Sequence, residues 1–160
     1  MGYQTADLTS PLGLLRVEIE PAGKIHTLTI CASSDVSLLQ SGATTGTSLQ
    51  PVRQQLERYF EGGLQTFDLP IDFSGYSPFA LKVLQRLLTV PYGTTVSYGR
   101  LAVMAGHPGA ARAVGRVVGA NRTPILIPCH RVVGSNGDLV GYSATGGVVT
   151  KRWLLDFENS

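Results

Sequence analysis

Residues 97–119 read SYGRLAVMAGHPGAARAVGRVVG, and this stretch decides the fold of the C-terminal half. Ser97 is a helix N-cap, Leu101, Ala102 and Ala105 share one face at helical spacing, and Gly106 closes the helix. His107-Pro108-Gly109 turns the chain directly into a second helix, expected over 110–118. Two short helices joined by a tight glycine-containing turn predict a helix-turn-helix. In the second helix Ala110, Ala111, Val114, Val117 and Val118 supply apolar contacts, while Arg112, Gly115, Arg116 and Gly119 share the other face. Glycine costs about 1 kcal/mol relative to alanine inside a helix, so two on one face call for a reason. Close helix packing is one. The approach of something bulky beside two arginines, such as a DNA backbone, is the other. A minor groove only about 6 Å wide admits a helix only when side chains are small or the groove is widened.

Outward from this motif, Ser77-Pro78 caps and starts a helix whose stripe is Phe79, Val83, Leu84, Leu87 and Leu88, ended by Pro91-Tyr92-Gly93. Ile125-Leu126-Ile127 is a brief buried run, and a last helix spanning roughly 150–158 is expected to dock through Trp153, Leu154 and Phe157. Toward the N-terminus, Leu15, Val17 and Ile19 alternate with Arg16, Glu18 and Glu20, which is the period of a half-buried strand. Pro21 to Lys24 turns the chain and Ile25 to Cys31 returns it. Residues 32–50 read as loop. From Pro51 on, Val52, Leu56, Tyr59 and Phe60 follow helical spacing up to Gly62-Gly63, and Phe67 to Phe73 is a short alternating segment suited to pair with the hairpin. The expected class is α/β (α+β). A small N-terminal antiparallel sheet with a helix fills 1–74, and a mostly helical domain with the helix-turn-helix fills 75–160.

Composition narrows the function classes. Charged residues are 15% of the 160, below the roughly 25% usual for globular proteins, and hydrophobic residues are 43%. The chain can bury a core and is not a disordered tail, a coiled coil or a fibrous repeat. A net charge of +2 makes any nucleic-acid contact local rather than a polycationic grip. No stretch approaches the ~20 apolar residues of a membrane span, so no membrane partner is expected. The N-terminus lacks the pattern of a secretory signal, and Cys31 and Cys129 lie far apart, which favours two thiols and a cytoplasmic setting.

Pro128-Cys129-His130-Arg131 is the second concentration of chemistry. An electropositive setting lowers a thiol pKa and raises its thiolate fraction. A small buried hydrophobe is the alternative use of such a cysteine. Adjacent residues point apart, so His130 is expected to reach Cys129 through a water. Cys31 reads as core, and His26 has no ligand spacing to other Cys or His residues, so no metal is expected.

Pro91-Tyr92-Gly93, Ser97-Tyr98-Gly99, Ala111-Arg112-Ala113-Val114-Gly115, Asn121, Pro128-Cys129-His130-Arg131-Val132 and Gly141-Tyr142-Ser143 stand in one order and near-spacing. In this the chain resembles the O6-alkylguanine-DNA alkyltransferases, specifically over 75–158 and in outline before that, through Ser10-Pro11-Leu12-Gly13 and the 51–60 helix. The resemblance implies a DNA-repair methyltransferase that works once. It would flip an O6-alkylguanine, or an O4-alkylthymine, out of double-stranded DNA held through the minor groove. The alkyl group would pass irreversibly to Cys129, with no cofactor. The implied catalytic set is Cys129, His130, Glu158, Tyr98 and Asn121. Cys129 is the nucleophile, activated through a water, His130 and Glu158. Tyr98 donates to guanine N3, and Asn121 braces the turn between recognition helix and active-site strand. Arg112 fills the gap left by the flipped nucleotide, with Ala111, Gly115, Arg116 and Tyr98 also at the DNA. Val132, Tyr142 and Ser143 form the substrate pocket, and Arg131 is expected in a structural ion pair. A monomer that clusters on DNA is implied, in the cytoplasm or, in a eukaryote, the nucleus.

Two departures stand out. Phe79-Ala80 replaces a frequent Phe-Gln, and the segment from Ala144 to Thr150 is about two residues longer than in most members, which either lets benzyl-sized groups be tolerated at little cost in loop closure or bulges into solvent and leaves the pocket wall unchanged. Three readings from other classes are a binding module that flags alkylated guanine, a cysteine hydrolase and a transcription factor. Cys129 argues against the first, a lack of turnover would exclude the second, and the third leaves Pro-Cys-His-Arg idle.

Overall fold

The computed structural model describes residues 2–31, 49–140 and 146–160, which form two compact units divided between Asp72 and Phe73. The division falls two residues before the expected boundary at 74.

The first unit is an antiparallel sheet of β1 (Gln4–Ser10), β2 (Gly13–Ile19) and β3 (Ile25–Cys31), in the order β1-β2-β3, with α1 (Gln50–Phe60). Leu15, Val17 and Ile19 are fully buried, paired across to Leu8 and Ala6 on β1 and to Ile30, Leu28 and Ile25 on β3. The helix buries Val52, Leu56 and Tyr59. Each large side chain so buried contributes about 1.5–3 kcal/mol through the hydrophobic effect. β1 is absent from the sequence expectation. Only its Ala6 and Leu8 are buried, so its alternation is faint. Arg16 grips Asp7 across β1 and β2 with two bonds of 2.8 and 2.9 Å. The 67–73 segment is no strand. Ile71 makes a single parallel bridge to Ile25, and Asp72 takes His26 Nδ1 at 2.9 Å.

The second unit stacks α2 (Pro78–Leu87), α3 (Tyr98–Met104), α4 (Ala111–Gly119) and α5 (Gly147–Glu158). The Ser77 hydroxyl caps α2 by accepting from Ala80 N, and Ser97 caps α3 from Arg100 N. α2 stops at Leu87, before Pro91, and Leu88 is exposed rather than part of the buried stripe. α3 and α4 are joined as a helix-turn-helix. His107 N donates back to Ala102 O at 2.9 Å and Ala110 N to His107 O at 3.1 Å. α4 begins one residue later than expected, with Ala110 as its N-cap. A two-residue parallel pair, β4 (Val96–Ser97) with β5 (Val132–Val133), ties the start of α3 to the segment after Cys129. No described helix is long and apolar enough to cross a membrane.

Ile125-Leu126-Ile127 is buried as expected and forms a turn, bridged from Pro124 to Ile127. The turn lets a short chain reverse at the end of α4. α5 docks through Leu154, Leu155, Thr150, Lys151 and Glu158, whereas Trp153 and Phe157 are half-buried and stack on each other at 5.1 Å.

Candidate active site

Cys129, His130 and Arg131 form one 3-10 turn and all three are buried. The Cys129 N–H donates to Ile127 O at 2.7 Å, which fixes the turn on the 123–127 reversal. That reversal depends on Asn121. Its Nδ2 donates to Ile127 O at 3.0 Å and its Oδ1 accepts from Thr123 N at 3.0 Å. The bracing holds Ile125 at φ 75°, a left-handed conformation that costs a β-branched residue about 1–3 kcal/mol. The cysteine is thus presented by a strained turn, not by a strand.

Glu158 organises the other side. Arg131 donates from Nε to Oε1 and from Nη2 to Oε2, each at 2.9 Å, and His130 Nε2 lies 2.7 Å from Oε2. Gly93 N adds a bond to Oε1 at 3.3 Å, and Arg131 Nη1 reaches Val90 O at 2.8 Å. Gly93 sits at φ 77° with the Glu158 carbonyl 3.3 Å from where a Cβ would stand, so glycine is required there. Glu158, in the last turn of α5, is therefore pinned by a bidentate ion pair. The same network gives Arg131 its structural ion pair and gives Pro91-Tyr92-Gly93 a purpose beyond ending a helix.

The protonation of the network follows. An ionised carboxylate held by a guanidinium only accepts, so His130 Nε2 carries the hydrogen. Burial pushes the His130 pKa below its ordinary value, against the pull of Glu158, and Arg131 and Lys151 push the same way as burial. The imidazole is neutral, and its buried Nδ1 has no hydrogen-bond partner among the described residues.

Tyr98 opens α3, and the β4–β5 pairing brings it to the cysteine. Burial raises the Tyr98 pKa and the charge of a Cys129 thiolate raises it further. Its hydroxyl donates to Val140 O at 3.1 Å. Lys151, absent from the sequence-based set, is fully buried and donates to the same carbonyl at 3.2 Å. An isolated lysine in a helix carries no sequence signal for burial, because its spacing to Leu154 and Leu155 matches that of a surface snorkelling residue. Val132 is also fully buried, and its N–H donates to Cys129 O, so that donor is already engaged. Tyr142 and Ser143 lie outside the described residues.

Arg112 and Arg116 are exposed on α4, and neither is in an ion pair among the described residues. An open cavity of about 790 Å³ is lined by Tyr98, Gly109, Ala111, Arg112 and Gly115. A Cβ at Gly115 would meet Tyr98 Cδ1 at 3.8 Å, an ordinary contact, and one at Gly119 would meet nothing within 4 Å. Packing inside the protein does not demand these two glycines.

Residues 78–160 match the family described as "6-O-methylguanine DNA methyltransferase, DNA binding domain", and residues 3–73 match its "ribonuclease-like domain". A "Methylated-DNA--protein-cysteine methyltransferase" of Mycolicibacterium paratuberculosis is 42% identical over 161 residues, covering 98% of this chain and 91% of that one. One of the same description from Mycobacterium bovis is 50% identical over 106 residues, or 66% of this chain, and the match spans 62% of that relative's length. The crystal structure of Mycobacterium tuberculosis OGT in complex with DNA superposes with a TM-score of 0.83 at 37% identity, over 99% of this chain and 93% of that one.

Proposed function

The chain belongs to the 6-O-methylguanine DNA methyltransferase family, and we propose that it repairs DNA by moving the alkyl group of O6-alkylguanine, and of O4-alkylthymine, irreversibly onto its own Cys129. The observation that carries this reading is the His130 imidazole. Its Nε2–H is held by Glu158 at 2.7 Å, which leaves Nδ1 as a buried acceptor in the same turn as the thiol.

The thiol proton passes through a water to His130 Nδ1, and the thiolate attacks the alkyl carbon. The S–C bond forms and the C–O6 bond breaks, its electron pair going to the guanine. The base takes a proton at N3 from the Tyr98 hydroxyl, and the proton held on His130 restores the tyrosine. The sum is thiol plus alkylguanine giving thioether plus guanine. A thioether is no nucleophile, so each chain acts once. A soft thiolate suits attack on an sp³ carbon. Glu158 and Asn121 act as positioning residues, through His130 and through the turn that presents Cys129.

An alkyl group on O6 is out of reach within a stacked duplex, so the nucleotide must be extruded. The cavity beside Tyr98 and Arg112 supports this, with Arg112 filling the gap in the stack and Arg116 meeting phosphate. Ala111 and Gly115 let a minor-groove backbone come close, and Val132, Tyr142 and Ser143 wall the base. The protein works as a monomer that clusters on DNA, in the cytoplasm of a bacterium or the nucleus of a eukaryote. The test is stoichiometry. Guanine restored in an O6-methylguanine duplex should plateau at one per chain, and Cys129→Ser should bind the duplex without repairing it. Continued turnover would point to a hydrolase instead.

A further inference from the structure

Lys82 and Arg86 stand one turn apart on α2, both exposed, and neither side chain has a hydrogen-bond or ion-pair partner among the described residues. The helix carries no Asp or Glu, so nothing on it offsets the two charges, and like charges four residues apart repel. With Gln85 they line a cleft of about 510 Å³ whose remaining lining is Met104, Ala105 and Gly106, at the end of α3. No carboxylate lines it among the described residues. The cavity beside Arg112 lies across the same turn: Gly106 borders the cleft, and Gly109 and Ala111 border the cavity. Between them, the His107 ring packs edge-on against Phe79 of α2 at 5.0 Å, which holds the turn against that helix.

We propose that this cleft is a second phosphate-binding surface, in which Lys82 and Arg86 contact the backbone of the duplex that α4 engages. This rests on the proposed binding of duplex DNA through α4. Two cations, an amide donor and no acid suit a polyanion. In a helix-turn-helix the second helix enters the groove while the first crosses the backbone, and the cleft sits at the end of that first helix. Tyr98 opens α3 at the cavity and Met104 closes it at the cleft. Seven helical residues span about 10 Å, the rise of about three base pairs, so one duplex reaches both sites. With a net charge of only +2 the chain has little general attraction for DNA, so its grip must come from local cations. Contacts of this kind carry no sequence information. They fix the register of the protein on the duplex.

The experiment measures the affinity for an undamaged duplex of about 20 base pairs by fluorescence anisotropy, between about 50 and 200 mM salt. Each phosphate contacted contributes about 0.9 to the slope of log affinity against log salt. Lys82→Gln and Arg86→Gln should each make the slope shallower by about one, and the double variant by about two. The loss of affinity in the double variant should be about tenfold larger at the low-salt end than at the high-salt end. Lys82→Arg combined with Arg86→Lys should keep the wild-type slope. Lys24→Gln combined with Arg58→Gln removes the same charge from the first unit and should leave the slope unchanged. An unchanged slope in the Lys82→Gln, Arg86→Gln protein overturns the inference alone, in favour of an acidic protein partner for the cleft. An equal change in the Lys24→Gln, Arg58→Gln protein also overturns it, because net charge then accounts for the effect. A wild type that does not bind duplex overturns the reading of α4 and the inference together.

Discussion

His130 Nε2 and Glu158 Oε2 stand 2.7 Å apart with both side chains fully buried, although the two residues are separated by 28 positions in the chain. This contact sets the tautomer of the imidazole. It also ties the last turn of α5 to the turn that carries Cys129.

Stability should fall on mild acidification. Burial holds the His130 pKa in the folded protein below the ordinary value of about 6.5, so in that window the unfolded chain binds a proton that the folded one refuses. The stabilisation is complete above about pH 6.5 and is lost as the pH falls toward the folded pKa, with a slope of at most about 1.4 kcal/mol per pH unit from this one group. Urea denaturation at a series of pH values measures it. Stability that is flat or rising between about pH 6.5 and 5 would contradict the neutral, buried imidazole.

Glu158→Gln leaves the Arg131 guanidinium buried without its counter-charge. Breaking a buried pair in this way costs about 3–5 kcal/mol, which denaturant midpoints will show. The variant should also shift the pH profile of Cys129 alkylation upward. If that profile is unmoved in the folded variant, Glu158 has no part in activating the thiol.

Arg112→Ala should slow repair of a duplex far more than reaction with free O6-alkylguanine, because extrusion of the base is required only in the duplex. A loss of tenfold or so in duplex, equivalent to about 1.4 kcal/mol, is expected with little change on the free base. Equal losses on both would assign Arg112 to the pocket instead.

Asn121→Ala removes the bonds to Ile127 O and Thr123 N that hold Ile125 at positive φ. A loss of about 1–3 kcal/mol is expected for the buried groups left unpaired, together with slower alkylation of Cys129 as its turn relaxes. An Asn121→Ala protein with full stability and full rate would show that the reversal holds itself.

The helix-turn-helix was legible because Ser97, Gly106 and Gly109 mark its joints locally, and the 13–31 hairpin because Leu15, Val17 and Ile19 alternate in its first strand and Pro21 to Lys24 mark its turn. Cys129 and His130 were legible from their own electropositive setting, but Glu158 only through resemblance, since nothing local in Glu158 announces a buried carboxylate. Long-range pairings stayed hidden for the same reason. The β4–β5 ladder is two residues long on each side, and β1 carries just Ala6 and Leu8 to the core. The burial of 125–127 was legible but its turn was not, because an apolar triplet reads alike in a strand and in a braced turn. Nothing local marks Lys151 for burial, because Tyr98 and Val140 approach it from other parts of the fold.

The central claim is that Cys129 accepts the alkyl group, and mass spectrometry of the whole protein after incubation with O6-methylguanine duplex tests it most directly. The account predicts a single increase of about 14 Da that maps to Cys129 and does not grow with excess DNA. An adduct on Cys31, more than one adduct per chain, or repair with no change in mass would contradict it.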